Sequence, residues 1–135
     1  MDAAQAIADL TEISSQIESV VLLDAKGAVA ASTFSEDAAG QRFAEAAKAL
    51  LEAADGVREG GEPLTQLEAE TPEGSVFVLR DGDRLIAATT VPDPTVGLVF
   101  YDLKSALGAA AAAEPKPKRK PRAAAKKTKA AKDDA

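Results

Sequence analysis

Six carboxylates gather between residues 62 and 83: Glu62, Glu68, Glu70, Glu73, Asp81 and Asp83. Oxygen ligands of this kind suit a hard divalent cation. Their spacing matches no calcium loop, whose ligands recur at fixed short intervals around a glycine. Solvated turns and one exposed strand face explain the cluster better. Paired carboxylates acting as acid and base would need a pocket that desolvates one of them, and no sequence signal points to one.

The other reactive side chains lack partners. Ser14, Ser15, Ser35 and Ser75 are potential nucleophiles, but the chain contains no His to activate them and no Cys to replace them. The same absences remove nearly every zinc, haem or iron–sulfur site and any disulfide framework. No glycine-rich loop is spaced to cradle phosphates, so the chain is not itself a nucleotide hydrolase. The expectation is a protein without catalytic residues, resident metal or cofactor.

Charge divides the chain. Residues 1–108 carry 7 Lys+Arg against 19 Asp+Glu, a net of −12, while residues 109–135 carry 9 against 3, a net of +6. The second segment has no Leu, Ile, Val or aromatic residue and cannot offset the entropy of ordering itself. It reads as a disordered tail, with the helix before it free to extend into the Ala109 to Ala113 run; Lys116, Lys118, Arg119, Lys120 and Arg122 lie among prolines and Lys126, Lys127, Lys129 and Lys132 among alanines. Such a tail attracts polyanions by counterion release without sequence selectivity, and it has no aromatics to stack on bases. Non-specific nucleic acid, an acidic protein or the chain's own acidic half, an anionic membrane surface, and no fixed partner all remain open readings.

The start has no basic and apolar leader, and no apolar run reaches the ~20 residues of a membrane span. A cytoplasmic protein is expected.

The elements follow from periodicity. Asp2 is a fair helix cap, and Ile7, Leu10, Ile13 and Ile17 recur at helical spacing. Ser19 to Asp24 and Ala28 to Thr33 read as strands about an Ala25-Lys26-Gly27 turn. A helix from Ala39 to Val57 follows, capped by Ser35 or Asp37. Leu64 to Thr71, Ser75 to Arg80 and Arg84 to Thr90 read as strands, the last two joined by an Asp-Gly hairpin. Val96 to Leu107 suits a helix capped by Asp93 with Pro94 in its first turn. The expected order is α-β-β-α-β-β-β-α: a mixed α+β domain over residues 1–108 with a five-stranded antiparallel sheet. The two end helices should cover one face and the middle helix the other.

That middle helix has more apolar surface than one neighbour needs. Phe43, Ala47, Leu50, Ala54 and Val57 form one stripe. Ala46, Ala49 and Ala53 widen it on one flank, and Ala44 and Leu51 on the other. Together they span roughly 220° of the circumference, against the ~100° that packing on a single surface requires. The small Ala46/Ala49/Ala53 edge would admit a second helix closely. Propensity alone explains some of these alanines, but Phe43, Leu50, Leu51 and Val57 also spread over much of the arc.

In this order and spacing the chain resembles the roadblock (dynein light-chain) family, with its profilin-like fold. Val20 to Gly27, the hairpin Val76 to Thr90, and Val96-Gly97-Leu98-Val99-Phe100-Tyr101-Asp102-Leu103 carry the resemblance. It implies a homodimer in which third strands pair edge to edge and middle helices pack together. On this chain that assigns the interface to Phe43, Ala46, Ala49, Leu50, Ala53, Leu64, Leu67 and Ala69. It further implies a platform for a Ras-like small GTPase, a bacterial polarity regulator, or a motor light chain. Family members that stimulate a GTPase are thought to reposition its own residues rather than insert an arginine.

Overall fold

The computed structural model describes residues 2–57 and 60–113. The elements are α1 (Ala3–Ile13), β1 (Ile17–Leu23), β2 (Val29–Ser32), α2 (Asp37–Asp55), β3 (Gln66–Thr71), β4 (Gly74–Asp81), β5 (Arg84–Thr90) and α3 (Val96–Ala113). The strands form one antiparallel sheet in the order β2-β1-β5-β4-β3. The expected element order, five-stranded sheet and placement of helices are all observed, but α3 runs past the expected boundary at 108 to Ala113, because Ala110 packs fully buried in the core.

Alternation along the central strands builds two cores. Val20 and Leu22 of β1, Phe77 and Leu79 of β4, and Ile86 and Ala88 of β5 face α1 and α3. Their neighbours Val21, Leu23, Val78, Leu85 and Ala87 face α2. A strand sends successive side chains to opposite faces, so a continuous apolar run such as Val20-Val21-Leu22-Leu23 is the signature of a strand covered on both sides. On the first face, Leu10 of α1 and Leu103 and Leu107 of α3 close the core. The Phe77 and Phe100 rings meet edge-on with centroids 4.9 Å apart. Full burial of such side chains stabilises by about 1.5–3 kcal/mol each.

Local chemistry sets the boundaries. Asp2 caps α1 by accepting from the Gln5 amide at 2.8 Å. Asp24 Oδ1 accepts from the amides of Lys26 and Ala28 and so shapes the β1–β2 turn. Gly40 lets α2 approach β2 closely, because a Cβ there would stand 2.7 Å from Ser32 Oγ.

Several expected details are corrected. Ile17 is not on α1 but opens β1; the helix ends when Ser14 turns extended, and Ile13 is left 75% exposed. The helical spacing of these isoleucines thus ran across a boundary that Ser14 and Ser15 enforce. The α2 cap position is Glu36, without a side-chain hydrogen bond, rather than Ser35 or Asp37. At α3 the first helical bond runs from the Val99 amide to the Thr95 carbonyl, so Thr95 rather than Asp93 holds the cap position. Asp93 instead has φ 52°, in a left-handed bend. Gln16 Oε1 accepts from the Thr95 amide and ties the end of α1 to the start of α3.

Candidate dimer interface

The packed face of α2 is rotated from the stripe read in the sequence. Gly40, Ala44, Ala47 and Leu51 are buried against the sheet, whereas Leu50 is 38% exposed and Val57, beyond the helix end, 82%. Alanine-rich sequence blurs the phase of a helix, since Ala suits either side. Leu51 therefore belongs to the centre of the packed face. Leu50, Ala46, Ala53 and Ala49 are exposed and fan over roughly 100° of the helix beside it. Phe43 is half-buried at the margin, its ring 5.6 Å from that of Phe34.

The sheet supplies a second apolar surface on the same side. α2 lies across β1 and β2. On β3 and the outer part of β4, Leu67, Ala69 and Val76 face the α2 side and are only half-buried. β3 is also an edge strand, paired on one side only by β4, from Gln66 opposite Leu79 to Thr71 opposite Gly74. Its outer backbone groups are a template for another strand. An apolar sheet face, an adjacent small-residue helix face and an open strand edge thus share one side of the domain.

A polar tie holds the helix and edge together. Asp55, in the last turn of α2, accepts from the Leu64 amide at 2.6 Å and from Arg80 Nη2 at 2.8 Å. The same Arg80 nitrogen donates to the Leu64 carbonyl, and the Arg80 amide donates to the Thr65 carbonyl at 2.7 Å. The start of the edge strand is therefore anchored to α2 and β4 together. The sequence alone assigned no role to Asp55 or Arg80; they lie 25 positions apart with no local signal. Val76 was also missed as a surface residue, although it alternates in phase with Val78.

Of the expected interface residues, Ala46, Ala49, Leu50 and Ala53 stand on the exposed α2 flank. Phe43, Leu64 and Leu67 pack half-buried against the α2-side core, with Ala69 half-buried beyond. The basic residues from Lys116 to Lys132 lie outside the described residues. The acidic cluster is dispersed: Glu73 sits in the β3–β4 turn, and Asp81 and Asp83 flank the β4–β5 turn at the other end of β4. Among the described residues no three carboxylates converge as a metal group would. No described helix is long and apolar enough to cross a membrane.

No curated protein matches the sequence. Solved structures share its fold. A Roadblock/LC7 domain from Streptomyces avermitilis is similar at TM-score 0.72 and 18% identity, covering 83% of this chain and 97% of that one. The gliding protein MglB of Thermus thermophilus aligns at TM-score 0.59 and 18% identity over 82% of this chain and 86% of its own. An MglB described in a tetrameric arrangement aligns at TM-score 0.61 and 18% identity, over 82% and 85%. The Roadblock/LC7 domain profile matches residues 4–90, well over half of the sequence. With the sheet order, the helix placement and that match together, the chain belongs to the Roadblock/LC7 domain family.

Proposed function

We propose that this chain is a non-catalytic homodimeric scaffold that docks or regulates a Ras-like small GTPase in the cytoplasm. The observation that carries the dimer is the exposed Ala46/Ala49/Leu50/Ala53 flank beside the half-covered Leu67, Ala69 and Val76. In the dimer, β3 pairs with its copy and the α2 helices cross at their alanine edges. Small residues there bring the helix axes close, and the paired β3 strands satisfy the backbone groups that the monomer leaves open. A self-complementary patch of this kind closes on a two-fold axis.

Family membership supports the GTPase half of the reading. The likeness to an MglB described in a tetrameric arrangement supports self-association. The scaffold would present surfaces, leaving bond chemistry to the GTPase. Sedimentation equilibrium tests the first half: a dimer is expected at micromolar concentration, and a stable, well-folded monomer rejects it. Titrating the dimer with a small GTPase encoded beside its gene, loaded with GDP or a non-hydrolysable GTP analogue, tests the second. Nucleotide-dependent binding is expected; none in either state rejects the GTPase partner and leaves the dimer standing.

A further inference from the structure

The face opposite α2 carries a groove that neither the fold nor the proposed dimer fills. It holds about 180 Å³ between α1 and α3. Leu10 and Ala106 form its floor, Asp9 and Ile13 one wall, and Asp102 and Ser105 the other. Ile13 is 75% exposed, and Leu98, one helical turn before Asp102, is 48% exposed. Ile13 lines the groove, toward the end where Gln16 holds Thr95. Among the described residues neither Asp9 nor Asp102 has an ion-pair partner. An apolar trough rimmed by carboxylates asks for an occupant with apolar stems and cationic ends.

The same chain carries one. We propose that its segment 114–135 docks back into the α1/α3 groove of its own domain, lysine stems over Leu10 and Ile13 and ammonium groups at Asp9 and Asp102. Lys and Arg cover apolar surface with their methylenes while the charge stays at the rim.

Three observations favour this occupant. The segment starts at the residue after α3 ends at Ala113, and α3 is itself a wall of the groove. The return from Ala113 to the level of Asp102 is about 17 Å at the helical rise, which about six extended residues cover, so the segment is long enough to span the groove. The charges are also complementary, +6 over residues 109–135 against −12 over residues 1–108. Tethering raises the local concentration to the millimolar range, so weak pairs suffice to populate the contact. The groove and the α2 surface lie on opposite sides of the sheet, so the contact does not depend on the dimer.

Zero-length carbodiimide cross-linking of the full chain tests the contact, using equal parts of unlabelled and 15N-labelled protein exchanged to equilibrium. Tail lysines are expected to cross-link to Asp9 and Asp102 within chains of one label. Yields should fall at least about fivefold in 0.5 M NaCl and in Ile13→Arg, an exposed substitution that keeps both carboxylates and leaves the fold intact by circular dichroism. Cross-links spread as frequently over Glu68, Glu70, Glu73 and Asp81 would overturn the proposal. So would chiefly mixed-label pairs, which would make a second copy the occupant. Loss of the cross-links to equimolar duplex DNA at 150 mM salt would assign the tail to polyanions instead.

Discussion

Arg80 and Asp55 meet through a 2.8 Å charge-assisted hydrogen bond that joins β4, the middle strand of the β3-β4-β5 meander, to the last turn of α2. Their side chains are about one-quarter exposed (23% and 27%). In that setting the ion pair itself contributes at most about 1 kcal/mol. Its effect is geometric, because Asp55 and Arg80 both also hold Leu64.

Asp55→Ala should therefore lower stability by about 1–2 kcal/mol, from the loss of two hydrogen bonds. It should weaken dimerisation as well, since the start of the edge strand loses its anchor. Urea denaturation of the protein and sedimentation at several concentrations separate the two effects. A variant with unchanged association would show that the tie serves only the monomer.

Leu50 and Leu51 are neighbours with opposite assignments. Leu51 is 1% exposed in the α2-side core, and Leu51→Ala should cost about 2–5 kcal/mol. Leu50→Ala should cost the monomer under about 1 kcal/mol and act chiefly on the dimerisation constant. Thermal melts at two protein concentrations distinguish them, because a linked dimer melts at a concentration-dependent temperature.

Ala49→Glu with Ala53→Glu places two carboxylates on the exposed α2 edge. Exposed substitutions of this kind change monomer stability by about 0.5 kcal/mol or less. The expected outcome is a folded monomer with native circular dichroism. A dimer of undiminished affinity would exclude helix–helix contact at this edge.

Gly74 opens β4 with φ 150°, and a Cβ there would collide with the Thr90 carbonyl oxygen. Gly74→Ala should destabilise by at least about 2 kcal/mol, as neither the turn nor the backbone of β5 can yield cheaply. Chemical denaturation measures it. Near-neutral behaviour would mean that the β3–β4 turn is far more compliant than the geometry indicates.

Strong alternation and turn chemistry made most of the fold readable. Arg84 to Thr90 is the fifth strand as expected, and Asp-Gly marks the hairpin before it. Errors fell where one periodic signal crossed a boundary or where a residue type is indifferent to burial. Ile13 and Ile17 keep helical spacing although Ser14 already leaves the helix. Alanines hid the phase of α2, so Leu50 was read as central and Leu51 as flanking. Thr95, not Asp93, caps α3, since Gln16 reaches over from another element to fix the backbone there. Cross-element ties such as Asp55 with Arg80 leave no local trace, as their partners are set by topology.

The sheet has a second border, and it is built unlike the first. β2 spans only Val29–Ser32, pairs with β1 through an irregular register, and is flanked by α1. So brief and irregular a border offers little for a further chain to extend. In the proposed dimer joined along β3, each end of the ribbon would terminate in such a stub, and growth would stop at a finite particle.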